Sequence, residues 1–144
     1  MTDELTPDEL DYLHDTFDRA REGDTAALAA RVDAGVPVDL TTAQGDTLLI
    51  LAAYHQHEDT VRALLARSAD HARVNDKGQT ALSAAVFRRA APVVTALLDA
   101  GADPDLGRQS GRAVAAFFEL PDMADLIERH RATPVDPDGP QLRR

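Results

Sequence analysis

Along this chain the apolar residues gather in short stripes at three-to-four spacing, broken by Gly, Asp and Gln, a pattern that predicts a succession of short helices. The first stripe, Leu10, Leu13, Phe17 and Ala20, belongs to a helix expected over 7–21. Thr6-Pro7-Asp8-Glu9 opens it: Thr6 serves as N-cap, Pro7 sits where its missing N–H has no partner to lose, and Glu9 returns a capping-box hydrogen bond. Gly23-Asp24 interrupts it, with Asp24 placed to cap a second helix over 25–33 that stops at Gly35. Further helices are predicted over 47–55, 58–66, 80–88, 92–99 and 121–130, with Pro92 and Pro121 each at a helix start.

The pattern repeats. Gly45, Gly78 and Gly111 are 33 residues apart, and 45–53 overlays 78–86 at Gly, Thr, Leu and Ala. Val61/Val94, Leu64/Leu97 and Leu65/Leu98 fall in the same register. Shifting back by the same period sets Gly23 against Gln56 and Arg89, Leu28 against Val61 and Val94, and Gly35 against Ser68 and Gly101. The first repeat is therefore present but degenerate. The last is shorter, and Gly111 falls in the series by coincidence. Matching Ser110 to Thr80 as helix cap brings 115–118 near 85–87 and asks for a small deletion before Leu126-Ile127.

A period of 33 with these residues resembles the ankyrin repeat. The family's Gly-x-Thr-Pro-Leu-His-x-Ala-Ala, Val-x-x-Leu-Leu and Gly-Ala-Asp elements are met by Gly45, Thr47, Leu49, Ala52, Ala53, Val61, Leu64 and Leu65. They are met again by Gly78, Thr80, Leu82, Ala85, Val94, Leu97, Leu98, Gly101, Ala102 and Asp103. The resemblance implies an all-α solenoid of stacked helix-turn-helix units with hairpin-like loops. Its repeats would span about 7–41, 42–74, 75–106 and 107–131, between a disordered start (1–6) and a disordered proline-rich tail (132–144). Thr-Pro-Leu-His is replaced by Thr-Leu-Leu-Ile and Thr-Ala-Leu-Ser, so the family's histidine bonds between repeats are missing and stability is expected to lean on apolar packing. Leu64, Leu65, Leu97 and Leu98 are expected to fill the space between repeats, with Ala52, Ala53, Ala84 and Ala85 allowing close helix approach.

Composition narrows the function. A net charge of -10 argues against nucleic acid, whose binding needs a Lys/Arg surface that releases counterions. Nine acidic residues against Arg19 and Arg21 place much of that charge in 1–24, read first as a solvated capping face. With no cysteine, disulfides and thiolate metal sites are excluded. The opening residues lack a basic region and apolar run, and no stretch is long and apolar enough to span a membrane, so the expected location is the cytoplasm. Abundant Arg and Ala with a single lysine fit a bacterial source.

No phosphate-cradling loop, nucleophile elbow or paired acids emerge, so no catalytic residue, metal site or cofactor is expected. His55-Gln-His57 offers no metal pair, because i and i+2 do not share a helix face. The six aromatic residues are more telling: Tyr54 and Phe87 are 33 apart, and Phe117 or Phe118 takes the same place in the last repeat. Such a ladder either packs between helices or lines the concave groove beside His55 and Arg88. The hairpin tips, Gln44 and Asp46 in one finger, then Asp76, Lys77 and Gln79, would add its polar edge. As the resemblance implies, this surface of a monomeric, non-enzymatic scaffold would hold a protein partner, with Tyr54, His55, Phe87, Arg88 and Phe118 as contacts. The alternative is an immunity- or antitoxin-like inhibitor that meets a basic enzyme with its acidic first helix.

Overall fold

The computed structural model describes residues 5–132. The expectations for the first four residues and for 133–144 lie outside the described residues. Eight helices are present among them: α1 (Pro7–Glu22), α2 (Thr25–Asp33), α3 (Leu48–Tyr54), α4 (Glu58–Ala66), α5 (Ala81–Phe87), α6 (Ala91–Asp99), α7 (Gly111–Phe117) and α8 (Pro121–Ala132). They form four hairpins. The odd-numbered helices pack on one another in sequence, the even-numbered ones do the same, and each hairpin joins the two layers. No strand forms among the described residues, only two isolated bridges, Thr41 with Thr47 and Gln79 with Gln109. The fold is an all-helical repeat array.

Helix starts follow from capping chemistry. Thr47 Oγ1 accepts from Ile50 N–H at 3.0 Å, Thr80 Oγ1 from Ser83 N–H at 3.1 Å, and Ser110 Oγ from Ala113 N–H at 3.1 Å. Each satisfies one of the donors that a helix leaves without a partner in its first turn. Thr6 and Glu9 complete a reciprocal capping box on α1. Asp24 caps α2 through Ala27 N–H at 3.2 Å.

Between the two helices of each hairpin the backbone turns through left-handed space at equivalent places: Gly23 (φ 76°), Gln56 (66°), Arg89 (55°) and Glu119 (54°). After the second helix it does so again at Gly35, Ser68 and Gly101. Only at Gly23, Gly35 and Gly101 is the residue one that adopts this conformation without a Cβ penalty.

The core runs the length of the stack. Leu49, Ala53, Leu82 and Ala85 are enclosed between odd-numbered helices, and Leu28, Val61, Leu64, Val94, Leu97 and Ile127 between even-numbered ones. Burying a side chain of this size is worth roughly 1.5–3 kcal/mol relative to exposure, which is why neighbouring hairpins hold together although none encloses an apolar face alone. Leu98 is buried as expected, whereas Leu65 lies half-buried at the edge of the core.

The shortened fourth repeat places its deletion elsewhere than the sequence reading has it. The loops 34–47 and 67–80 each hold 14 residues, but 100–110 holds 11. From Ser110 onward a constant offset of 30 maps Arg89 onto Glu119, Val93 onto Met123 and Leu97 onto Ile127, all with matching backbone or burial. No residue is therefore lost before Leu126-Ile127. A loop absorbs the deletion because three residues removed inside a helix would rotate its apolar face out of the core.

Histidines do bond across repeats, from positions other than the family's. His57 Nε2 donates to the Arg21 carbonyl at 2.8 Å and His71 Nε2 to the Ala100 carbonyl at 3.1 Å, while His130 Nε2 lies 3.1 Å from Asp99 Oδ1.

Candidate functional site

Three loop tips, at 42–46, 75–79 and 107–109, project as fingers beside the odd-numbered helices. In the first two a glycine closes the tip: Gly45 N–H donates to Thr42 and Gly78 N–H to Asn75, both at 2.9 Å, and both glycines have φ near 85°. Adjacent fingers are laced by backbone hydrogen bonds, Asp76 N–H to the Gln44 carbonyl at 3.0 Å and Gln109 N–H to the Gly78 carbonyl at 2.9 Å. The fit at Gly78 is tight, since a Cβ there would come within 2.7 Å of Arg108 Cβ. Asn75 ties the second finger together, its amide donating to Asp46 Oδ1 at 2.7 Å and Gln79 Oε1 at 3.0 Å.

Between fingers and helices lies a groove of about 580 Å³. Its helical wall carries Ile50 and Tyr54 of α3, Ser83 and Phe87 of α5, and Val114 of α7 with Phe118 just after it. Each pair is four residues apart, so its members stack on one helix face. Its other wall carries Asp46, Lys77, Gln79 and Gln109, and Arg21 closes one end.

The rings of Tyr54 and Phe87 stack with centroids 6.3 Å apart and planes 10° from parallel, and Phe118 meets Phe87 edge-on at 5.2 Å. Tyr54, Phe87 and Phe118 nevertheless stay 40%, 44% and 48% exposed, so the ladder packs on itself while offering nearly half of each ring to solvent. Phe117, the register equivalent of Phe87, is 78% exposed and rests edge-on against Phe118 at 4.9 Å. Phe118 is thus the ring that continues the row. Arg88 fixes its near end: Nη1 donates to the Tyr54 carbonyl at 3.1 Å and Cζ lies 4.9 Å from the Tyr54 ring centroid.

His55 meets Tyr54 edge-on at 5.1 Å and faces the His57 ring at 6.4 Å. Burial, followed by the charges of His57, Arg88 and Arg21, lowers its pKa, favouring a neutral ring at the groove wall. No group of three or more His, Cys, Asp or Glu side chains placed to hold a metal occurs among the described residues.

A family model of ankyrin repeats, three copies long, matches residues 16–107. The chain belongs to the ankyrin-repeat family. Over 66 residues the array is 42% identical to a curated ankyrin repeat protein of Pseudomonas aeruginosa, an alignment that takes in 43% of this chain and 39% of that relative. The ankyrin chain thus spans well under half the length of the relative it matches. Its fourth hairpin lies beyond the matched stretch and follows the others in its cap, its left-handed turn and its buried Met123 and Ile127.

Of the residues singled out in the sequence, Tyr54, His55, Phe87, Phe118, Asp46, Lys77 and Gln79 line this ankyrin groove, with Arg88 braced behind Tyr54. Gln44 faces the α1 side instead, beside Leu10 and Leu13, and Asp76 stands at the finger tip outside the lining. Sequence reasoning passed over Ile50, Ser83 and Val114, although their place four residues before each ring was there to be read. Arg21 carried no such signal, because its arrival depends on how α1 packs on α3. Among the described residues no helix is long and apolar enough to cross a membrane.

Proposed function

We propose that this ankyrin array is a non-enzymatic interaction module that holds a protein partner in the groove between its fingers and its odd-numbered helices. Ankyrin repeats are in general protein–protein interaction modules. The observation that carries the reading here is the row Tyr54, Phe87, Phe118: three adjoining rings, each 40–48% exposed, beside an arginine braced in place. Aromatic and arginine side chains dominate interface hot spots because they bury large areas at little conformational cost. A pre-stacked row loses less freedom on binding than separate rings would. Polar contacts would come from Asp46, Lys77 and Gln79 on the facing wall, with Gln44 and Asp76 at the finger edges. The cytoplasm as its place of work, and a single copy as its working form, belong to the same proposal.

The decisive experiment exchanges Tyr54, Phe87 and Phe118 together for Ala. Capture of the native partner is expected to be lost while the helical circular-dichroism signal is kept. Retained capture by the folded variant would move the site elsewhere. The inhibitor reading, in which the acidic first helix meets a basic enzyme, draws less support. Asp15, Asp18, Glu22 and Asp24 are held in ion pairs by Arg19, Arg21 and Arg31, which leaves fewer free carboxylates on α1 for an outside cation.

A further inference from the structure

Cations in this acidic chain fall into two groups. Arg19, Arg21, Arg31, Arg62, Arg67, Arg89, Arg112 and Arg129 each sit within ion-pair distance of a carboxylate. Among the described residues Lys77, Arg88 and Arg108 do not, and each belongs to a finger or helix end that borders the groove. Lys77 lines it from the second finger, Arg108 packs beside Gly78 on the third, and Arg88 lies over Tyr54. Arg73, which likewise has no carboxylate within ion-pair distance among the described residues, is in the loop leading to the second finger. Against them the rim sets Asp46, already bound by the Asn75 amide, and Asp76 at the tip. In a chain of net charge -10 carboxylates are abundant, so cations left without them around a row of exposed rings mark a local reversal of sign.

Resting on the concave-groove reading above, we infer that the partner segment is an acidic peptide whose Asp or Glu residues alternate with aromatic or aliphatic side chains. The apolar side chains lie on Tyr54, Phe87 and Phe118, and the carboxylates meet Lys77 and Arg108 on the finger side and Arg88 at the Tyr54 end. Guanidinium groups donate two parallel N–H bonds to a carboxylate, and Arg88 is already oriented by its bond to the Tyr54 carbonyl. The repulsive field of the rest of the chain works against acidic ligands that miss the groove, which sharpens selection. Single-stranded nucleic acid shares the taste for cations and rings, but three cations release too few counterions to overcome that field.

Selection of random dodecapeptides on the immobilised full chain tests this. Enriched sequences are expected to combine Asp or Glu with Leu, Phe, Tyr or Trp. A synthetic peptide of the consensus should lose about tenfold or more in affinity on Lys77→Glu/Arg108→Glu, and should weaken as salt rises. Neutral or basic consensus sequences, or an affinity indifferent to the double charge reversal in a folded variant, would overturn the inference while leaving the groove reading intact, provided binding still requires Tyr54, Phe87 and Phe118. Binding that survives the triple Ala exchange, or no enrichment at all, counts against both. A fluorescein-labelled oligothymidine bound as tightly as the peptide would overturn it in favour of nucleic acid.

Discussion

Arg67 clasps Asp33 across the first repeat junction with two N–H···O bonds, Nε to Oδ1 at 2.9 Å and Nη2 to Oδ2 at 3.1 Å. Arg89 reaches Asp122 across the third junction at 2.7 Å. Hydrogen bonds from these arginines hold both carboxyls below the usual aspartate range. A carboxyl with a depressed folded-state pKa contributes stability that is present above the ordinary value, near 3.8, and is lost as pH falls below it. Acid titration followed by circular dichroism should therefore show unfolding that steepens below that range. Asp33→Asn/Asp122→Asn should flatten the acid limb relative to the parent, and an identical acid limb would remove these pairs from the account.

His55 shifts in the same direction and with the same sign of consequence, but from the opposite cause, a charged form that is disfavoured. Its pKa lies below the ordinary 6.5 because burial and neighbouring positive groups disfavour its charged form. As pH drops through that value the unfolded chain gains a proton that the folded chain withholds, so stability falls. Denaturant melts between pH 7.5 and 5.5 should show this loss, and His55→Gln should remove part of it.

Leu97 is fully buried and Leu65 half-buried, although both were expected in the core. Leu97→Ala should cost about 2–5 kcal/mol, as core cavities do, and Leu65→Ala distinctly less. Because repeats support only their neighbours, the Leu97 variant should melt in a broader transition that begins around α5 to α8. Urea melts with amide hydrogen exchange would locate the loss. Equal costs at the two sites would contradict the burial pattern.

Ser68 turns at φ 67° with its side chain exposed, while Gly78 turns at φ 83° against Arg108. Ser68→Gly is expected to raise stability by up to about 1 kcal/mol by removing a Cβ from left-handed backbone. Gly78→Ala is expected to destabilise by at least that much, since it adds strain and a 2.7 Å clash together. Thermal melts of the two variants should move in opposite directions.

Helix positions, caps and hairpin pairing could be read directly from the chain, because Thr47, Thr80, Ser110, Asp24 and the left-handed turn positions act on backbone groups within a few residues. The 33-residue period likewise fixed which rings would line up, since equal spacing places Tyr54 and Phe87 on the same face of successive helices. Contacts made between repeats were decided only when the hairpins stacked. Whether Phe117 or Phe118 continues the ladder, that Leu65 alone of the four paired leucines is left half-buried, and which histidines clasp a neighbour all depend on small rotations of one hairpin on the next. So does the isolation of Lys77, Arg88 and Arg108 from carboxylates among the described residues, because ion pairing is a matter of a few ångströms across separate helices and loops, a distance that local pattern does not encode.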